Sequence, residues 1–114
     1  MTHKTNLLND LPSAATGEIF ETLLQRPGVK LERIVSHGQS TPDGEWYDQE
    51  QDEWVMLLTG AARLTIEGKA DLDLTAGDAL LLPAHCRHRV AWTDPTRATV
   101  WLALHLGGMT KETA

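Results

Sequence analysis

The sequence predicts an all-β chain, an antiparallel sandwich or barrel with little helix. Three observations predict it. Apolar residues recur with period two in a series of short runs. Clusters of Gly, Pro and Asp divide those runs at intervals of roughly ten residues, the spacing of an all-β domain. No segment of helical period alternates with the runs, so a parallel sheet is not expected.

The elements follow in order. Residues 1–16 are an N-terminal segment in which Leu7, Leu8 and Leu11 mark a turn or short helix that Pro12 interrupts. The barrel is expected over 17–106. "EIFETLLQ" (18–25) is a strand ended by the turn signal "RPG". "VKLERIVS" (29–36) sets Val29, Leu31, Arg33 and Val35 against Lys30, Glu32, Ile34 and Ser36. "HGQSTPDG" (37–44) is a loop of turn formers, and "EWYDQ" (45–49) is a short strand. "EWVMLLT" (53–59) is a strong strand ended by Gly60, which is expected to close a hairpin onto "ARLTIEG" (62–68) with φ above zero. "DLDLTAGD" (71–78) turns at Gly77, and "ALLLPA" (79–84) stops at Pro83. "RHRVAWT" (87–93) precedes the turn at Asp94–Pro95, and "RATVWLALHL" (97–106) is the last and longest strand. Residues 107–114 read as a frayed tail.

Two strands are apolar on both faces. In 53–59, Trp54, Met56 and Leu58 oppose Val55 and Leu57; in 97–106, Val100, Leu102, Leu104 and Leu106 oppose Trp101, Ala103 and His105. A sandwich with wet outer faces needs one apolar face per strand. A partner subunit or the N-terminal segment is therefore expected on the outside, and a homodimer is the commonest arrangement.

The chain has 114 residues, enough for one domain with its own core. Its net charge of −6 and singly scattered Lys and Arg give no footprint for nucleic acid and no attraction to anionic membranes. No apolar run has the length of a membrane helix, and the N-terminus does not have the form of a signal peptide. The single cysteine, Cys86, cannot form an internal disulfide, so a cytoplasmic location is expected. These features leave a small-molecule ligand, a metal or a protein partner.

The spacing of polar residues is more specific. Six residues separate Glu53 from Gly60, and five separate Gly77 from Pro83, with His88 beyond. "GDALLLPAHCRH" and "WYDQEQDEWVMLLTGAARLTIEG" thereby resemble the two motifs of the cupin superfamily, over roughly residues 29–105. The resemblance implies a jelly-roll barrel, the double-stranded β-helix, as a small cupin with a degenerate first motif. The family's His-x-His pair is absent. Its places hold Trp46 and Asp48 at one spacing, or Tyr47 and Gln49 at the other. His85 stands where the second motif has Gly, and Trp92 where Asn is common.

The resemblance further implies a lumen site for a divalent metal (Fe, Mn, Ni or Zn), here with Asp48 or Gln49, Glu53, His88 and His85 as candidate ligands. Loss of two imidazoles weakens affinity for Ni²⁺ and Zn²⁺ more than for Mn²⁺. Arg33, Trp46, Tyr47 and Trp92 are candidate ligand-binding residues around the mouth. Blander roles stand beside these. His88 could donate to a backbone carbonyl in the core. Glu53 could pair with Arg33 or Arg87. Asp48 and Gln49 could face solvent, and Cys86 could be a small buried hydrophobe. Two functions follow: a weakly metal-binding cupin of oxygenase, isomerase or lyase chemistry, or a metal-free module that binds a small molecule.

Overall fold

A computed structural model describes residues 2–107. Eight strands make up the fold: β1 (Ile19–Arg26), β2 (Val29–Ser36), β3 (Asp52–Thr59), β4 (Ala61–Ile66), β5 (Leu72–Thr75), β6 (Ala79–Leu82), β7 (His88–Thr93) and β8 (Thr99–Leu106). There is no helix among the described residues, and so none long and apolar enough to cross a membrane. The expected turn or short helix near Leu7 is a turn, with the Asn9 N–H donating to the Asn6 carbonyl at 3.1 Å. The expected strand over 45–49 reduces to one bridge, Tyr47 to His88. Beyond Gly107, the expected tail lies outside the described residues.

Two antiparallel sheets face each other in a jelly-roll arrangement. One has the order β1-β2-β8-β3-β6 and the other β5-β4-β7. Strand alternation sends Glu53, Val55 and Leu57 of β3 inward, level with His105, Ala103 and Trp101 of β8. Leu57 is fully buried and packs with Ala62, Leu64, Leu74 and Trp101; Val55 packs with Leu82 and Ala103. Each such large aliphatic side chain contributes roughly 1.5–3 kcal/mol when taken out of water.

Gly60 does not close a hairpin. β3 belongs to the five-stranded sheet and β4 to the three-stranded one, and Gly60 alone connects them. Its φ of 93° turns the chain through a corner, which a two-residue hairpin loop would not do.

The second apolar faces point outward. Leu24, Leu31, Leu104, Trp54 and Leu81 are successive cross-strand partners, so they form one row over all five strands of the larger sheet. The N-terminal segment reaches this face beside that row, where Arg33 Nη1 donates to the Leu7 carbonyl at 2.9 Å.

Candidate functional site

Inward positions change character along the strands. At one end Leu57, Leu64 and Trp101 fill the interior. At the other end the same faces carry Glu53, His88, His105 and Glu32, around a cavity of about 130 Å³. The large sheet supplies Glu53, His105 and Glu32, and β7 supplies His88 from the facing sheet. Groups distant in sequence therefore meet because strand alternation aims them at one space.

Glu53 and His88 face each other in that space. Both residues are buried, with 8% and 6% exposure. His88 Nδ1 lies 2.8 Å from the Cys86 carbonyl oxygen. A carbonyl only accepts, so Nδ1 carries the hydrogen, and Nε2 of the neutral ring has a free lone pair. That nitrogen sits 3.8 Å from Glu53 Oε1. Glu53 Oε1 is itself buried without a hydrogen-bond partner. At 3.8 Å the two groups are too far apart for a direct hydrogen bond, and no side chain or backbone group among the described residues donates to Glu53 Oε1.

Tyr47 covers the pair. Two backbone hydrogen bonds, Tyr47 N–H to His88 O at 2.7 Å and His88 N–H to Tyr47 O at 3.1 Å, clamp the loop to β7. The Tyr47 ring then stacks on the His88 ring, with centroids 5.4 Å apart. Burial, then the charges of Glu18, Glu53 and Glu45, push the Tyr47 phenol above its ordinary value of 10.0. The folded chain therefore holds this proton more tightly than the unfolded one. Its contribution to stability is full below pH 10.0 and is lost as pH rises through the folded value. Tyr47 is the sole tyrosine, so tyrosinate absorbance reads it directly. A native midpoint above 10.0, falling when the protein is unfolded in urea, is expected; a native midpoint at or below the unfolded one would contradict the buried, negative mouth.

The remaining sequence candidates divide by face. Tyr47 and Gln49 line the cavity, which selects the shorter of the two motif spacings. Trp46 and Asp48 alternate with them and point away. The Trp46 ring lies under the Arg87 guanidinium at 5.3 Å, and Asp48 meets His85 Nδ1 at 2.9 Å in an exposed pair. Asp48 and His85 therefore do not join Glu53 and His88. His85 nevertheless keeps the backbone of the motif glycine it replaces, with φ at 62°. Arg33 is on the outer face of β2, where its Nε is 2.7 Å from Glu21 Oε1; an odd position on a strand whose even positions face inward cannot reach the lumen. Arg87 pairs with Glu67, so neither expected arginine partners Glu53. Trp92 pairs across the sheet with Arg63 and is 41% exposed, because a bulge at Ala91 places Val90, not Trp92, on the inner face. Cys86 is half-buried against the Val55 cluster, in keeping with a small hydrophobe.

Sequence reasoning passed over His105 and Glu32. His105 Nε2–H donates to Glu32 Oε1 at 2.9 Å, and Lys30 Nζ lies 3.3 Å from Glu32 Oε2. His105 is also the cross-strand partner of Glu53. The signal was the parity of β8, which puts His105 on one face with Trp101 and Ala103. Only the pairing shows that this face, the less apolar of the two, is the inner one.

Of the ligands that the motifs imply for a divalent metal, Glu53, His88 and Gln49 line the cavity, the last offering only a neutral amide oxygen. Among the described residues no three His, Cys, Asp or Glu side chains are grouped to hold an ion. A resident cation needs about four to six ligands, and most would have to be water. The donor set does not fit such a site, and no chemistry is derived through one.

A small antiparallel barrel with an acid–base pair buried at its open end is defined by these features. The family model for the cupin domain matches residues 33–105, and the chain belongs to the cupin superfamily. It is similar to a Ralstonia eutropha JMP134 protein described as a "putative mannose-6-phosphate isomerase", with 52% identity and a TM-score of 0.90 over 94% of this chain and all of that one. A cupin superfamily protein of Desulfitobacterium hafniense DCB-2 shares the fold at 20% identity, with a TM-score of 0.71 over 86% of this chain and 84% of that one. So does an RmlC-like cupin of Desulfovibrio desulfuricans, at 18% identity and a TM-score of 0.72 over 92% and 97%. A search of the curated proteins found no match.

Proposed function

We propose that this cupin holds a small ligand by a hydrogen-bond donor placed between Glu53 and His88, and that the pair moves a proton on it in isomerase- or lyase-type chemistry. The observation that carries this reading is the buried, unpartnered Glu53 Oε1 with His88 Nε2 standing 3.8 Å away. Only Nε2 of His88 can exchange a proton, because Nδ1–H is committed to the Cys86 carbonyl. The Glu53 carboxylate can take a proton from an acidic C–H or O–H of the ligand while Nε2 accepts or returns one beside it. Apolar walls, including Val55, Leu82 and Val90, lower the polarity around the pair and so strengthen its electrostatic interactions. The isomerase description of the Ralstonia relative accords with proton movement between neighbouring atoms. Its phosphate finds no counterpart, since no Lys or Arg lines this cavity.

Melting temperatures against a panel of small metabolites test the reading, with wild type, Glu53→Gln and His88→Gln side by side. A ligand class that raises the wild-type transition and fails to raise both variants is expected; at a hundred times its dissociation constant a ligand adds about 2.7 kcal/mol. Ligands that shift all three proteins alike would sink the proposal. Elemental analysis of untagged protein, expected to find no stoichiometric metal, checks the donor count independently.

We also propose that two copies pair through the outer row formed by Leu24, Leu31, Leu104, Trp54 and Leu81. A continuous apolar band with Leu81 at 52% and Leu24 at 42% exposure is what a self-complementary interface buries. Sedimentation at tens of micromolar, in the range where standard interfaces hold, is expected to show a dimer that Trp54→Glu dissociates. A wild-type monomer would dismiss the pairing.

A further inference from the structure

We infer that the ligand of the barrel is a small organic ammonium ion, a primary or secondary amine; the inference rests on the Glu53–His88 reading above and names its ligand class.

Charge is the first support. Three carboxylates, Glu18, Glu32 and Glu53, line the cavity, and no Lys or Arg does. Glu32 is balanced by Lys30 and His105. Glu18 and Glu53 have no Lys or Arg partner among the described residues; Glu18 receives only the Ser36 hydroxyl, at 2.5 Å. Arg87, near the mouth, is engaged by the Trp46 ring and Glu67. A neutral polyol would leave this negative charge uncompensated, and a phosphate would add to it.

The second support is independent of the first. Glu53 is more than nine-tenths buried, and its Oε1 has no donor. Across 3.8 Å stands His88 Nε2, the ring nitrogen left free by the Nδ1 bond to the Cys86 carbonyl and an acceptor whenever the ring is neutral. One nitrogen bearing two N–H groups can donate to both; a quaternary ammonium cannot.

The walls give the third. Phe20, Tyr47 and Trp101 line the cavity together with aliphatic side chains. A ring face attracts a cation, and an organic cation is the kind that also gains from apolar contact. A bare divalent ion would want many oxygens instead. The cavity, about 130 Å³, is close to the ~150 Å³ that admits benzene in another protein, so about six to eight non-hydrogen atoms fit.

Calorimetry at matched ionic strength with pentylammonium, 1-pentanol and pentanoate separates the possibilities. Pentylammonium is expected to bind at least about tenfold more tightly than the alcohol, a factor worth about 1.4 kcal/mol, and pentanoate not measurably. Glu53→Gln and Glu18→Gln are each expected to weaken the amine and leave the alcohol unchanged, and ethyltrimethylammonium, which has as many non-hydrogen atoms as pentylammonium, to bind more weakly than it. Alcohol or carboxylate binding as tight as the amine, with loss in Glu53→Gln, would overturn the ammonium class and leave the acid–base reading standing. Affinities unchanged in both Glu53→Gln and His88→Gln would overturn both. No heat from pentylammonium at millimolar concentration would overturn the ammonium class. Melting curves of each variant show whether lost binding reflects lost folding.

Discussion

Gly60→Ala is expected to destabilise the protein by about 3 kcal/mol or more, from backbone strain and overpacking together. The glycine sits at φ 93°, where an L side chain is strained. A Cβ built there would lie 2.6 Å from Thr99 Cα and would also strike the Thr99 side chain. Thr99 cannot give way, since it is fully buried in β8 and its hydroxyl bonds the Ala61 backbone. Gly77→Ala is the internal control: φ is again 93°, but nothing stands within 4 Å of the added methyl. That variant should lose only about 1 kcal/mol, the strain alone. Because about 1 kcal/mol moves the transition of a domain this size by roughly 4–8 °C, the two should separate clearly in thermal melts. Equal losses would mean that the approach of Thr99 costs nothing.

Glu53→Gln is expected to move the other way, raising stability by about 1–2 kcal/mol while it weakens binding of the amine. A buried acceptor without a donor costs about 1–3 kcal/mol. Glu53 Oε1 is such an acceptor, with His88 Nε2 3.8 Å away. The glutamine amide has the same shape and turns an N–H toward that nitrogen, so closing the 3.8 Å gap by less than 1 Å makes a hydrogen bond where there was none. Under the proposed function the barrel carries a stability cost where the ligand needs an open acceptor, a common trade in natural proteins. Chemical denaturation measures the gain, and calorimetry the loss. A lower midpoint for Glu53→Gln would show that the carboxylate charge is held by more than the geometry described, and would remove the argument for a waiting acceptor.

The acidic run before β3 shows how far the sequence was legible. Glu45, Asp48, Glu50 and Asp52 are exposed, as charge predicts for such a stretch. Glu53 alone turns inward, and its motif position identified it. His88 was found the same way. Gln49 and Asp48 could not be told apart, because a change of one in the motif gap reverses the face; the bridge from Tyr47 to His88 sets that parity. Arg33 looked like a lumen cation by its charge, and the register puts it outside under the N-terminal segment. Trp92 was lost to a bulge, which no periodic pattern announces.

The sequence by itself determined the all-β class, most strand positions and the cupin motifs, and it marked Glu53 and His88, which the structure buries at one cavity. These are local properties, written in alternation, turn chemistry and spacing. The tertiary structure alone decided which face of each strand is the interior, and so brought His105 and Glu32 beside Glu53 and sent Arg33, Trp92, Asp48 and His85 away. The physical reason is that strands apolar on both faces carry no local mark of inside and outside. Only pairing with distant strands, and the burial it brings, breaks that tie.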